Sequence, residues 1–221
     1  MTGKLRDIEA SYSHIAGSYA EHFFDELRHK PFDRALLDVF ADQVRPRSDG
    51  MGGPVLDVGC GPGQSARALR ERGIDVTGLD LAPEMIAEAK RRLPDIPFRV
   101  GSMLALDDAP ASYAGLVAFY AIVHFNREEL TQACREFFRV LRPSGLALAS
   151  FHLGNEVVHR NELFGKPVNL DFVCFERATV EGAFVAAGFR IEAYLERAPH
   201  TEIEHPTQRG YILARKPYSA G

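Results

Sequence analysis

The chain has 221 residues, of which 46% are hydrophobic, and a formal net charge of −4 at pH 7. This length predicts one globular domain with room for a small insertion. The acidic balance argues against a nucleic-acid partner, and no run reaches the roughly 18 apolar residues of a membrane helix. The N-terminus lacks the apolar core of a signal peptide, and Cys60, Cys134 and Cys174 form no C-x-x-C motif. We therefore expect a cytoplasmic protein with reduced cysteines.

The predicted elements begin with an aromatic-rich helical stretch over residues 5–43, followed by a glycine-containing loop at 45–53. Strand and helix patterns then alternate to the C-terminus. Gly73 is a typical helix C-cap, and Asn126 with Glu129 forms a capping-box pattern. Strands are predicted at 55–58, 76–79, 98–100, 116–121, 146–151, 190–195 and 211–214, and helices at 64–72, 83–93, 126–141 and 179–187.

Short apolar strands that alternate with helices predict an α/β fold, with a parallel sheet covered by helices on both faces. Ligands of such sheets bind at the carboxyl ends of the strands. Several polar or glycine-rich positions are predicted to meet at that edge, which indicates a single site. They are the turn at 59–63, Asp80, Ser102, Tyr120 and His152.

A glycine-rich turn follows the first predicted strand and is the most informative motif of the chain. Gly59, Gly61 and Gly63 leave no side chain between the backbone and a ligand. Asp80 ends the next strand, where an acidic residue accepts hydrogen bonds from ribose hydroxyls. The turn and the acid together predict a nucleoside cofactor.

The spacing of the turn distinguishes between two kinds of cofactor. A dinucleotide site has the pattern G-x-G-x-x-G, whereas Gln64 stands at the sixth position here. Asp57 also places a negative charge near the turn, which disfavours a pyrophosphate and suits a ligand with an amine and a sulfonium. A nicotinamide-dependent oxidoreductase remains the alternative.

Residues 55–63, VLDVGCGPG, resemble the first motif of the class I S-adenosylmethionine-dependent methyltransferases. The resemblance extends over roughly residues 50–216 and implies a Rossmann-like, seven-stranded, mostly parallel sheet. It further implies an N-terminal helical lid at 1–48 and a cofactor-binding methyltransferase domain at 49–221. Within that domain, the long connection at 153–177 is expected to cover the methyl acceptor.

The resemblance also implies which residues hold S-adenosylmethionine. Asp57 would act on its amino group, Asp80 on its ribose hydroxyls, and Ser102 would replace an acid that the family often places near the adenine. Packing in the core is an equal alternative for Met85. The implied cofactor-binding residues are Tyr12, Tyr19, Asp57, Gly59, Cys60, Gly61, Gly63, Asp80, Leu81, Met85, Ser102, Met103, Phe119 and Tyr120.

Two histidines are candidates for chemistry. Methyl transfer from a sulfonium needs alignment and exclusion of water, while a general base is optional. His152, at the end of the fifth strand, is the first candidate for a base or an acceptor-orienting residue, and His124 is the second. A structural role is an open alternative for both. His152 and His159 lack further ligands at short spacing, so no metal is expected.

Two further segments are candidates for walls of the site. Tyr12 and Tyr19 share one helix face, either as part of a lid or as an apolar stripe packed on the core. The loop at 200–208 is either an exposed polar loop or a wall. The aromatic and polar residues of 153–177 suggest a small organic acceptor.

The sequence therefore predicts an enzyme that transfers a methyl group from S-adenosylmethionine to an oxygen or nitrogen of a small molecule. The predicted enzyme is a monomer or homodimer without a nucleic-acid or membrane partner. Besides the oxidoreductase, two alternatives stay open: a non-catalytic module that binds the cofactor, and an enzyme that uses it for another reaction.

Overall fold

A computed structural model describes residues 3–46, 52–200 and 202–218, so part of the predicted loop at 45–53 lies outside it. Six α-helices and nine strands are formed by the described residues. The helices are α1 (Gly3–Phe23), α2 (Pro31–Val44), α3 (Gln64–Glu71), α4 (Pro83–Arg92), α5 (Arg127–Val140) and α6 (Arg177–Ala187). The strands are β1 (Val55–Val58), β2 (Val76–Asp80), β3 (Phe98–Val100), β4 (Tyr113–Phe119), β5 (Leu141–Leu153), β6 (Val157–Leu163), β7 (Lys166–Val173), β8 (Arg190–Arg197) and β9 (Gln208–Arg215).

Seven strands form one sheet in the order β3-β2-β1-β4-β5-β9-β8. The pairs from β3 to β5 are parallel, whereas β9 runs antiparallel to both β5 and β8. The seven-stranded, mostly parallel sheet that the sequence predicts is thus confirmed. Because the chain proceeds outward from β1 in one direction and returns to place β4 on its other side, a crevice opens at the carboxyl ends of β1 and β4.

Helices cover the sheet on both faces. Leu37 and Phe40 of α2 join the core cluster of α3 and α4 on one face, whereas Phe137 of α5 and Phe184 of α6 belong to the cluster on the other. All four side chains are fully buried. A strand layer between two helix layers is the arrangement that buries nearly continuous apolar strands. No helix among the described residues has the length and apolar character needed to cross a membrane.

Two segments differ from the predicted elements. The connection at 153–177 contains a separate antiparallel hairpin, β6–β7, which turns at Phe164 and Gly165 with positive φ at both. The fifth strand begins directly after α5 at Leu141 rather than at 146. The predicted capping box of α5 is confirmed, because Asn126 and Glu129 exchange side-chain-to-backbone hydrogen bonds of 2.8 Å.

Gly63 is the N-cap of α3 and joins the turn to the helix. Its φ is +96°, in the left-handed region that favours glycine. A β-carbon at this position would come within 2.8 Å of Leu93 Cδ1 and 3.0 Å of Phe98 Cζ. Gly63 therefore serves the packing of α3 against α4 and β3. Gly73, just after α3, shares the positive φ of +77° but has open space around it.

This contrast predicts different costs for two alanine substitutions. Gly73→Ala introduces only the strain of an alanine in the left-handed φ region, so it should lower the free energy of unfolding by about 1 kcal/mol. Gly63→Ala also overpacks the core, which adds about 1–3 kcal/mol. Urea unfolding of the two variants measures the difference, and equal losses would contradict the packing role of Gly63.

Candidate functional site

Two adjoining cavities open at the carboxyl ends of the parallel strands. The smaller has a volume of about 100 Å³ and lies under α1, and the larger has a volume of about 430 Å³. Both lie at the carboxyl ends of the neighbouring strands β1 and β4, from which the sheet order runs in opposite directions, the usual position of a ligand site in such sheets. The residues that line both cavities, and so mark their junction, are Tyr12, Tyr19, Gln64, Phe119 and Tyr120.

The smaller cavity brings together most of the predicted cofactor-binding residues. Gly59 and Gly61 have positive φ values of 66° and 52° and expose their backbone to it. His124, the second catalytic candidate, also lines it. The predicted residues found in its lining are Tyr12, Tyr19, Gly59, Gly61, Asp80, Leu81, Met85, Ser102, Met103, Phe119 and Tyr120.

Asp80 holds the glycine turn in place. One carboxylate oxygen accepts a hydrogen bond of 2.8 Å from the Gly61 N–H, and the other accepts one of 2.9 Å from the Ala82 N–H. Burial raises the pKa of Asp80, and these backbone donors partly offset the rise. A carboxylate has about four acceptor sites, so Asp80 keeps capacity for hydroxyl donors of a ligand.

Asp57 adds a second carboxyl group behind the turn. It is 1% exposed, and its Oδ2 has no hydrogen-bond partner among the described residues. Burial and the charge of Asp80 raise its pKa to about 8. An unpaired buried carboxyl oxygen beside a second acid fits a cationic group, such as an ammonium, and disfavours a pyrophosphate.

Three predicted cofactor residues do not line either cavity. Gly63 packs on Leu93 and Phe98, as described above. Cys60 is 3% exposed, and its thiol donates to the Gly61 carbonyl at 3.6 Å. Asp57 lies beneath the turn, so it acts on the smaller cavity only through its charge or an intervening group.

His124 and Tyr12 join α1 to the hairpin. His124 Nδ1 lies 2.7 Å from the Asp171 carbonyl, and its Nε2 lies 2.8 Å from the Tyr12 hydroxyl. Because a carbonyl only accepts, Nδ1 carries the proton and Nε2 accepts from Tyr12. Burial lowers the pKa of His124 to about 4. Both ring nitrogens are engaged, which favours a positioning role for His124 over proton transfer.

The larger cavity is framed by α1, the 3₁₀ turn Glu26–His29, the hairpin β6–β7 and the loop before β9. Its walls are largely aromatic, and the rings of Tyr19, Phe23 and Phe164 pack within 4.6–6.3 Å of one another. Phe164 at the hairpin turn is 38% exposed and marks the mouth. The volume of about 430 Å³ falls within the roughly 300–1,000 Å³ typical of small-molecule sites.

A buried ionic network lies behind this cavity. Asp33 is fully buried and accepts hydrogen bonds from Arg197 at 2.8 Å and from the Tyr211 hydroxyl at 2.9 Å. Arg197 also donates to both oxygens of Glu204, at 2.7 and 2.8 Å. Glu204 therefore forms part of a wall, and the alternative of an exposed polar loop does not hold at this residue.

The same network orients Tyr120 at the junction. The Tyr120 hydroxyl lies 2.9 Å from that of Tyr211 and donates to Asp33 at 3.3 Å. Its φ of +52° is unfavourable for a residue with a side chain. Hydrogen bonds from its N–H to the carbonyl and hydroxyl of Ser150 hold that conformation. Strain of this kind at a cavity junction is typical of functional sites.

His152, the first catalytic candidate, lines the larger cavity beside Tyr120. Its Nδ1 lies 2.8 Å from Thr207 Oγ1, and its ring centroid is 5.5 Å from that of Tyr120. Burial and the positive charges of Arg209 and Lys30 lower its pKa to about 3. His152 is therefore neutral at pH 7 and a weak base, so the geometry favours the orienting role over proton abstraction.

Gln64 is a candidate that the sequence considered only as a departure from the dinucleotide motif. The Gln64 Nε2 donates to Glu26 Oε1 at 3.4 Å. The amide oxygen of Gln64 is buried and has no hydrogen-bond partner among the described residues. Because a carboxylate only accepts, this contact fixes the orientation of the amide. The free oxygen at the junction of the cavities can accept a hydrogen bond from a bound molecule. Its position at the start of α3 was the available signal.

The acid and thiol groups of the site do not form a metal centre. Within residues 3–46, 52–200 and 202–218, no three His, Cys, Asp or Glu side chains converge as ligands for an ion.

Comparison with known proteins supports the interpretation of the turn. Residues 55–145 match a family model described as a methyltransferase domain. A demethylmenaquinone methyltransferase of Chlorobaculum parvum is 33% identical over 148 residues, which are 66% of this chain and 60% of that protein. A malonyl-acyl-carrier-protein O-methyltransferase of Enterobacter lignolyticus is 30% identical over 139 residues, 63% of this chain and 51% of that protein. The chain thus spans about half to three-fifths of these relatives.

The fold is also similar to that of a known methyltransferase. A solved S-adenosylmethionine-dependent methyltransferase from Methanosarcina mazei superposes with a TM-score of 0.72 at 16% identity, over 82% of this chain and 98% of that chain. At this identity the likeness concerns the fold alone. Residues 55–145, which include the VLDVGCGPG turn, are therefore similar to a methyltransferase domain, and the fold is similar to that of a solved S-adenosylmethionine-dependent methyltransferase.

Proposed function

We propose that this protein is a cytoplasmic enzyme that methylates an oxygen or nitrogen atom of a small organic molecule. The observation that carries the proposal is the pair of carboxyl groups at the glycine turn, Asp57 and Asp80, one of which has an unpaired buried oxygen. This pair suits the ammonium and ribose of S-adenosylmethionine and disfavours the pyrophosphate of a nicotinamide cofactor. The adjoining cavity of about 430 Å³ supports a role beyond cofactor binding alone.

The residues of the smaller cavity would bind the cofactor, which supplies an activated methyl group when it is bound. Gly59 and Gly61 leave room above the turn, and Asp80 offers its remaining acceptor capacity to hydroxyls. Met85 is 1% exposed yet lines the cavity, so it packs in the core and presents one side to the ligand. Ser102 lies in the same lining and can accept or donate a hydrogen bond.

The residues at the junction would align the two reactants. Tyr120 is held by the Asp33 network, and Gln64 is held by Glu26, so both are oriented before a ligand arrives. Preorganised positions of this kind reduce the entropic cost of bringing two molecules together. The aromatic walls exclude water from the reacting atoms.

Helix α1 would act as a lid over the cofactor. The cavity beneath it, about 100 Å³, is smaller than the roughly 300 Å³ at the lower end of ligand sites. Tyr19 Cε1 lies 3.9 Å from the position of a β-carbon on Gly61, so its ring occupies space above the turn. For a nucleoside to enter, α1 or its tyrosines must move. The hairpin β6–β7, within 153–177, would cover the acceptor in the same way.

Binding of S-adenosylhomocysteine tests the cofactor assignment. Isothermal titration should show micromolar affinity for this ligand and none for NADH. Asp80→Asn should weaken binding tenfold or more, because an amide cannot accept from two backbone donors and from hydroxyls at once. Asp75→Asn, an exposed acid before β2, is the matched control. Binding of NADH instead would make the oxidoreductase the better assignment.

The raised pKa of Asp57 predicts pH-dependent binding. Below its pKa of about 8 the carboxyl is protonated and attracts an ammonium poorly, so affinity for S-adenosylhomocysteine should rise between pH 6 and pH 8. The folded state holds this proton more tightly than the unfolded state, with its value near 3.8. Stability without ligand should therefore fall as pH rises from about 4 to about 8. Asp57→Asn should flatten both profiles; unchanged profiles would refute this role.

The depressed pKa of His152 predicts how its substitution acts. With any acceptor found by screening, His152→Ala should lower turnover without changing affinity for S-adenosylhomocysteine. Because His152 is neutral above a pKa of about 3, turnover should show no inflection from it between pH 5 and pH 8. His159→Ala, on the exposed side of the hairpin, is the control. Wild-type turnover from His152→Ala would assign the residue to structure alone.

A further inference from the structure

The charges around the larger cavity are not balanced. Three cationic side chains line it, those of Lys30, Arg160 and Arg209, together with two carboxylates, those of Glu26 and Glu204. One positive charge therefore exceeds the negative charges of the lining. The ion-pair partners of the three cations show which of them has no carboxylate nearby.

Lys30 and Arg209 are committed to groups of the protein. Lys30 pairs with Glu26 at 2.6 Å and with Glu204 at 3.3 Å. Arg209 is 3% exposed and donates to the carbonyls of Thr207 and His205, with Glu204 at 3.8 Å. Both cations thus lie beside the buried carboxylate of Glu204.

Arg160 is the cation without a carboxylate. It lies on β6, two residues from Val158, and both side chains line the cavity. Its Nη2 donates to His205 Nε2 at 3.1 Å, and none of the ion pairs within 4.0 Å among the described residues includes Arg160. Burial, with Arg160 and Arg209 nearby, lowers the pKa of His205 and favours its neutral form, and a neutral imidazole is not a counter-ion for Arg160.

The other side chains that line this cavity indicate what the uncharged part of a ligand would be. Phe119, Tyr120, Phe164 and Phe172 line the cavity, and apolar side chains such as Val158 and Leu163 continue the hairpin wall. Aromatic rings offer flat apolar faces, whereas an arginine fork binds the two oxygens of a carboxylate in parallel. A cation without a counter-ion in a partly buried cavity favours a ligand that brings a negative charge.

We infer that the methyl acceptor is an aromatic molecule bearing a carboxylate or similarly acidic group, and that Arg160 binds that group. That the ligand is a methyl acceptor rests on the proposed function, whereas the binding of an anion by Arg160 does not require the cofactor. The competing role for Arg160 is a clamp that holds the hairpin to the loop before β9 through His205. A clamp would stabilise the cavity for charged and neutral ligands alike.

The test compares two probes of equal shape, 2-naphthoate and 2-naphthamide, by calorimetric titration of the full chain with and without S-adenosylhomocysteine. Wild type should bind the acid at least tenfold more tightly than the amide. Arg160→Gln should remove this preference and leave amide binding within about twofold. Arg160→Lys keeps the charge and should retain most of the preference. Arg135→Gln, an exposed arginine of α5 that lines neither cavity, should match wild type.

The outcomes separate the inference from the proposed function. Equal affinity for the two probes, binding of neither, or equal weakening of both by Arg160→Gln overturns the anion site. If wild type does not bind S-adenosylhomocysteine but still binds the acid more tightly than the amide, the proposed function is wrong and the anion site is supported. If Arg160→Gln unfolds, Arg160→Lys and the wild-type comparison of the two probes still decide.

Discussion

The hydrogen bonds between Asp80 and the glycine turn are the constraint on which the site depends. By accepting from the N–H groups of Gly61 and Ala82, one side chain ties the end of β2 to the turn that follows β1. The turn can then lie open toward the crevice without a side chain of its own. The cost is that two carboxyl groups are held close together in a buried place, where burial and the charge of Asp80 raise the pKa of Asp57 to about 8.

Two further sets of contacts close the space above this turn from opposite ends of the chain. Tyr12 of α1 donates to His124, which in turn donates to the hairpin at Asp171. At the other side, Asp33 at the start of α2 binds Arg197, and Arg197 binds Glu204 in the loop before β9. The contacts above the smaller cavity and those along the larger cavity therefore both involve the N-terminal helices, α1 and α2. A movement of those helices would therefore change the shape of both cavities.

The fold and the grouping of the glycine turn, Asp80 and Ser102 at one edge of the sheet were predictable because their signals are local. Strand and helix periodicity, the glycine spacing and the capping box at Asn126 each depend on residues close in sequence, and each agrees with the structure. Gly63 shows the limit of that reasoning. The motif groups it with Gly59 and Gly61, whereas its surroundings, Leu93 and Phe98, make it a packing position.

The larger cavity was less predictable, because the contacts that form its walls join residues far apart in the sequence. Arg197 and Asp33 are 164 positions apart, and nothing in the local pattern of the loop at 200–208 indicates that Glu204 is buried. The hairpin β6–β7 carries as many polar as apolar residues besides Pro167, and it turns at Phe164–Gly165 rather than at the usual Asn-Gly or Asp-Gly, so its turn signal is weak. The depressed pKa of His152 likewise comes from burial and from the charges of Arg209 and Lys30, which only the folded chain brings near.

The central claim is that a cofactor binds beneath α1, over the glycine turn, and displaces the tyrosines that now cover it. A crystal structure of the protein soaked or grown with S-adenosylhomocysteine tests this claim most directly. The account predicts ligand density between the turn and α1, hydroxyls of the ligand at Asp80, and Tyr19 moved away from Gly61. Ligand density elsewhere, or density over the turn with Tyr12 and Tyr19 in their present positions, would contradict it.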